Sequence, residues 1–397
     1  MTGSGGATGT GGAMASASGG TTVTKAPGSY AFNSAGAKYP FPQGHLFANC
    51  TYPPYDTDTM ATMYLNWKAK FFQPQGQTGR VIRPENANDT VSEGIGYGMV
   101  IGVYMNDRPM FDALWAYAQS KFDGSGLMNW QIGAGGNVIG NGSATDGDED
   151  MAWALLQAAT QWGGGTYKTD AVKLIENIWS KEIDQGGGNV LKPGENFGGS
   201  GQTDPSYFAP AYYRVFAKVT SHDWMAVVDS SYTILQKASG AYGLVPNWSN
   251  ASGAGVNGPN NDTTGPIFGF DASRTPWRIA HDYCENGEPR AKAYLDKLTA
   301  FFAGKVTSLA TLGALKATYT TAGADGTGSA GMSLLGPAGV GAMVGGHADF
   351  TGYVYQALDL LSTDPSKMSI NGLYTYYHAS WGVLSMLAMS GNFWNLP

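Results

Sequence analysis

Two acidic residues far apart in the chain, Glu93 and Asp271, have the neighbours that acid/base chemistry needs. Glu93 stands in Val91-Ser92-Glu93-Gly94-Ile95-Gly96-Tyr97-Gly98. A glutamate set among glycine and tyrosine can be desolvated, and desolvation keeps a carboxyl protonated, as a general acid requires. Three glycines follow it at every second position, a costly choice inside a helix unless the backbone must approach something closely. Asp271 precedes Arg274 by three residues, which puts both on one helical face. There the guanidinium would orient the carboxylate and hold it ionised; a purely structural salt bridge is the plainer alternative. A protonated carboxyl opposite an ionised one is the equipment for cutting a glycosidic bond. For Asp148, Glu149 and Asp150 the plainer reading, capping of a first helical turn, is preferred.

Other chemistries find no footing. The run Asp146-Gly147-Asp148-Glu149-Asp150 fails a calcium loop, because position six is Met151 and position twelve is Gln157. Gly94-Ile95-Gly96-Tyr97-Gly98 lacks the spacing of a dinucleotide fingerprint, and no Walker motif or nucleophile elbow occurs. With five scattered histidines and two cysteines there is no zinc spacing, so no metal and no cofactor are expected. Cys50 and Cys284 form either one bridge or two buried thiols, and spacing does not choose. The net charge of −7, without a basic run among aromatics, argues against nucleic acid as a partner and fits a neutral polymer. No window approaches ~20 apolar residues, so no membrane helix is expected. Aromatics are abundant, with 11 Trp and 22 Tyr, more than a core alone needs; flat rings suit surfaces that stack on sugar faces.

The elements that must hold these residues are helices. Residues 1–27 are Gly/Ser/Thr-rich and read as a flexible linker or tail. This stretch lacks the cationic start and apolar run of a signal peptide, so export is inferred from the linker and from function. Residues 28–397 read as a single domain with about twelve helices, near 57–71, 92–106, 108–121, 146–163, 167–184, 205–219, 222–239, 272–286, 288–304, 331–345, 347–362 and 376–391. Short strands are expected within 122–145 and 185–204. The fourth helix is apolar nearly all round, whereas the fifth has one apolar face, Ala171, Leu174, Ile175 and Ile178. Alternation of buried and half-buried helices predicts a two-layer toroid of six hairpins, in preference to an irregular bundle. Its parallel inner helices would bring their polar N-termini to one end, gathering Glu93, Asp146, Asp271 and Arg274 in one cleft.

The segments around Glu93, Ala144-Thr145-Asp146-Gly147-Asp148-Glu149-Asp150, Asp204-Pro205-Ser206-Tyr207-Phe208-Ala209-Pro210 and Phe270-Asp271-Ala272-Ser273-Arg274 resemble glycoside hydrolase family 8, nearest its bacterial endo-β-1,4-glucanases. The likeness runs in order from about residue 37 to the end. It implies an all-α (α/α)6 barrel of six inner and six outer helices, and an inverting, endo-acting enzyme, secreted and monomeric, whose partner is a β-glucan. By motif, Glu93 matches the general acid and Asp271 the general base. Asp146 matches the residue that binds and distorts the central sugar, Tyr207 a water-positioning tyrosine, and Arg274 the arginine beside the base. Inversion implies ~6.5–9.5 Å between the two carboxyls. Trp130, Phe197, Phe270, Tyr376 and Tyr377 fall where the family binds sugar. Phe197 stands where relatives carry Trp, and Phe270 where many carry Tyr. Phe270 also occurs in xylan-cutting members, so an endo-β-1,4-xylanase stays open as an alternative. A non-catalytic glycan-binding protein would lack an intact acid/base pair.

Overall fold

The computed structural model describes residues 22–363 and 375–397. Twelve α-helices lie among the described residues: α1 (Thr57–Phe71), α2 (Ser92–Tyr104), α3 (Arg108–Gln119), α4 (Thr145–Gln161), α5 (Tyr167–Glu182), α6 (Pro210–Val219), α7 (Trp224–Ala238), α8 (Thr275–Asn286), α9 (Pro289–Ala303), α10 (Met332–Gly345), α11 (Ala348–Thr363) and α12 (Tyr376–Met389). The sixth and eighth start later than the sequence suggests, because Pro205–Tyr207 and Ala272–Arg274 wind as single 3-10 turns ahead of them.

The even helices form the inner ring. Contacts run from α2 to α4, from α6 to α8, then through α10 and α12 back to α2. Side chains bridge α4 to α6: Trp153 stacks on Tyr212 at 4.2 Å, and the Tyr213 hydroxyl donates to Glu149 at 3.0 Å. The odd helices pack outside, α3 on α2, α5 on α4, α7 on α6, α9 on α8 and α11 on α10. Burial follows this order. Residues Thr145 to Ala158 of α4 are all buried, and α10 is buried through Val344, whereas α5 buries Ala171, Leu174, Ile175 and Ile178 and exposes Lys173 and Lys181. The fold is the (α/α)6 barrel, and its buried apolar residues form one continuous core.

Short strands edge one end. A hairpin of β1 (Phe72–Gln75) and β2 (Thr78–Val81) follows α1, which the sequence reading missed. A three-stranded patch joins β3 (Thr90–Val91), β4 (Gln131–Ile132) and β5 (Val138–Gly140), and β6 (Ile183–Asp184) pairs with β7 (Val190–Leu191). Residues 1–21 of the expected tail lie outside the described residues. The end of that stretch is anchored: the Val23 N–H donates to the Tyr55 carbonyl at 2.9 Å, and Lys25 pairs with Asp58 at 2.5 Å. Cys50 and Cys284 are joined in a disulfide, tying the segment before α1 to the end of α8 across 234 residues. No described helix is long and apolar enough to cross a membrane.

Candidate active site

Close approach of α2 and α4 builds the floor of the site, and glycine makes it possible. A Cβ on Gly147 would stand 2.6 Å from the Ser92 carbonyl carbon and 2.8 Å from the Glu93 nitrogen; one on Gly96 would stand 3.0 Å from the Gly147 oxygen. A Cβ on Gly94 would meet the Tyr376 ring at 3.1 Å, and one on Gly98 would meet Leu114 at 2.7 Å. The glycine series after Glu93 therefore serves packing on three different sides. It puts Glu93 and Asp146, each at the start of an inner helix, side by side.

Arg274 is the hub. Its Nη1 lies 2.8 Å from Glu93 Oε2, 2.8 Å from Asp146 Oδ2 and 3.2 Å from the Tyr97 hydroxyl. Its Nε donates to Ser206 Oγ at 3.1 Å. Nη2 faces two more carboxylates, Asp204 at 3.6 Å and Asp271 at 3.7 Å. Tyr207 and Tyr377 flank the guanidinium, with centroids 5.0 and 6.0 Å from it. Glu93 and Asp271 thus touch different nitrogens of one guanidinium and lie no farther apart than about 9 Å, while the window for inverting chemistry closes at ~9.5 Å.

This geometry revises three expectations. Arg274 is not chiefly the partner of Asp271. It pairs more tightly with Glu93 and Asp146, and Asp271 is held instead by a 3.1 Å hydrogen bond from Trp248 Nε1. Asp148, Glu149 and Asp150 do not cap α4. Asp148 accepts from the Met128 N–H, while Asp150 and Glu149 pair with buried Arg278, at 2.9 and 3.4 Å, below the site. They sit far enough into α4 to reach neighbouring elements, and a charge buried there needs an opposite charge more than a helix end needs a cap. Tyr376 is no stacking platform, being 2% exposed; its hydroxyl donates a short hydrogen bond to Glu93 Oε1.

The other aromatics expected at the site do face outward. Trp130 and Phe197 are each 39% exposed and Phe270 is 53% exposed, with Tyr377 half-buried beside Phe270. The carbonyl of Trp130 accepts from the Ser92 N–H, and Phe197 lies 6.4 Å from Trp248, so these rings border the carboxylates. Burial pushes Asp146 up to about 7, opposed by Arg274 and reinforced by the Glu93 charge. Burial also raises Asp271; Arg274 opposes this, Glu93 adds to it, and the Trp248 bond opposes it.

Asp204 and Trp248 escaped the sequence reading. Asp204 opens the segment from which Tyr207 was taken, and its bond to the Ser206 N–H starts the 3-10 turn that brings Ser206 to Arg274. Trp248 carried no local signal, because only the folded loop after α7 lays its indole against Asp271.

Residues 40–391 match the family model described as glycosyl hydrolases family 8. The chain belongs to glycosyl hydrolase family 8. It is 38% identical over 344 residues to endoglucanase A of Acetivibrio thermocellus, covering 83% of this chain and 68% of that one. To endoglucanase 2 of Ruminiclostridium josui it is 36% identical over 388 residues, covering 92% and 79%. The apo structure of a β-1,3-1,4-glucanase from Paenibacillus sp. X4 superposes with a TM-score of 0.80 at 27% identity, covering 90% of this chain and 99% of that one. The xylose complex of Rex8A from Paenibacillus barcinonensis, at 23% identity and a TM-score of 0.72, shares the fold.

Proposed function

We propose that this family 8 protein is an inverting, endo-acting glycoside hydrolase that cuts internal β-1,4-glucosidic bonds of cellulose-like or mixed-linkage β-glucan. The observation that carries this reading is the pair of carboxyls, Glu93 and Asp271, held at two nitrogens of Arg274 with exposed rings nearby. Glu93 gives its proton to the glycosidic oxygen as the bond to the anomeric carbon breaks. Asp271, the more exposed of the two with 37% of its side chain open, takes a proton from water, whose oxygen bonds to that carbon from the opposite face. Solvent then restores both protonation states. Asp146, buried beside Arg274, holds the central sugar in a distorted ring, and Tyr207 positions the water. Trp130, Phe197, Phe270 and Tyr377 bind flanking sugars through their flat faces.

On this reading residues 28–397 are one catalytic domain, acting as a monomer. The Cys50–Cys284 disulfide supports secretion into an oxidising compartment.

Reducing-sugar release from carboxymethylcellulose, barley β-glucan and xylan tests the substrate, and the anomer first formed tests the stereochemistry. Glucans as substrates and an α-anomeric product are expected. Product from xylan alone would replace the substrate assignment, and a β-anomer would end the inverting mechanism. Glu93→Gln should lower turnover by about 10²–10⁴-fold while leaving glucan binding intact.

A further inference from the structure

Behind the loops that present Trp130 and Phe197 lies a group of carboxyls with no part in the proposed reaction. Asp148 and Glu182 are fully buried, and each has one oxygen, Oδ2 and Oε2, without a hydrogen-bond partner. Their other oxygens brace the two loops. Asp148 Oδ1 accepts from the Met128 N–H at 3.3 Å, two residues before Trp130. Glu182 Oε1 accepts from Ser143 Oγ at 2.5 Å, and that same hydroxyl receives the Glu195 N–H at 3.1 Å, two residues before Phe197. The loops also approach each other directly, since the Asp123 and Glu195 carboxyls are close enough to share a hydrogen bond. Two carboxyls can share such a bond only while one keeps its proton.

We propose that Asp123, Glu195, Asp148 and Glu182 are positioning residues that act as a proton-dependent clasp, holding the Trp130 and Phe197 loops together and making the outer part of the groove pH-sensitive independently of the acid/base pair. The assignment of those rings to glucan rests on the function proposed above; the clasp itself does not.

The surroundings favour retained protons. The acidic groups facing Glu182 are Glu195 and Asp146, and Asp148 also feels its charge; those facing Asp148 are Glu182, Asp146 and Asp123. The nearby cation, Lys192, spends its ammonium on the Lys181 and Glu195 backbone carbonyls at 2.8 and 2.6 Å. Burial pushes Glu182 up to about 8, against the hydrogen bond from Ser143. Burial raises Glu195 as well, followed by its bond to Asp123. Asp123 is lowered: burial works against this, and the bonds from Glu195 and Ser125 prevail. A group whose value is raised in the closed state stabilises that state at acid pH and loses this contribution as pH rises through the raised value. The clasp is therefore closed at pH 6 and loosened toward pH 9, on either side of the Glu182 value of about 8.

Amide hydrogen exchange of segments 122–130 and 193–197, corrected for intrinsic rates, is the test, run on the whole chain at both pH values. In the unmutated protein protection of both segments should fall about tenfold or more between them, the change one pKa unit produces. Glu195→Gln, whose amide still donates to Asp123 but does not titrate, should remove part of that fall and leave the share that belongs to Glu182. Glu182→Gln should remove that share, and half-buried Glu195 supplies the answer if the buried variant does not fold. The KM for a soluble β-glucan hexamer should then rise several-fold more with pH in the unmutated protein than in Glu195→Gln, with parallel kcat profiles. Equal pH responses of exchange in the unmutated protein and both variants would overturn the clasp. Exchange as expected with no β-glucan hydrolysed would leave the clasp standing and remove the glucan reading.

Discussion

The Arg274 guanidinium lies 2.8 Å from Glu93, a residue 181 positions away, yet 3.7 Å from Asp271 on its own helical turn. One cation therefore reaches both carboxyls of the proposed acid/base pair and Asp146, and a fork of nitrogens is needed to reach all three. Lysine offers a single charged point. Arg274→Lys should lower kcat by about 10²–10³-fold, the range for losing a preorganised electrostatic contact, with a smaller change in KM. Steady-state kinetics on barley β-glucan measures this, and a loss confined to KM would contradict it.

Trp248 gives the second prediction. Asp271 as the proposed base works only when ionised, so activity should fall as pH drops through its value, which burial raises from the usual aspartate range. The Trp248 N–H favours the ionised form. Trp248→Phe should shift the acid limb of the kcat/KM profile to higher pH, with the largest loss near that limb and little loss on the alkaline side. An unmoved or lowered acid limb would count against Asp271 as the base.

Gly147→Ala tests the helix contact. The new methyl would stand 2.6 Å from backbone of Ser92 and would push Glu93 away from Arg274. Overpacking of this kind costs about 1–3 kcal/mol. Chemical denaturation should show that loss, and activity should fall well beyond it, because the acid carboxyl moves.

Reduction of the disulfide should destabilise the fold without touching the site. A disulfide is typically worth about 2–4 kcal/mol, and longer closed loops gain more in the chain-entropy account. Melting with and without reductant, and of Cys50→Ser with Cys284→Ser, should show a lower Tm in both cases. At temperatures where the reduced protein stays folded, kcat should be unchanged.

Much of this was legible from local pattern. Helical periodicity located all twelve helices, because inner and outer elements differ in how many sides they bury, as α4 and α5 do. The polar first turns pointed to Glu93, Asp146 and Arg274 as neighbours, since parallel inner helices bring their starts together. What pattern could not carry was partner choice. Asp148, Glu149 and Asp150 resemble caps in sequence, and only the position of Arg278 on α8 and of the 128 loop gives them other work. Tyr376 looked like its neighbour Tyr377, but adjacent residues on a helix point about 100° apart, so one is buried against Glu93 and the other borders the groove. The Trp248 bond to Asp271 spans 23 residues of irregular chain and has no period to reveal it.

The cystine has a topological effect separate from its thermodynamic one. Glu93, Asp146, Asp204, Asp271 and Arg274 all fall between positions 50 and 284. A single peptide cleavage anywhere in that interval leaves one covalent molecule rather than two fragments. Each of these groups stays tethered to the others while the nicked ring breathes and recloses.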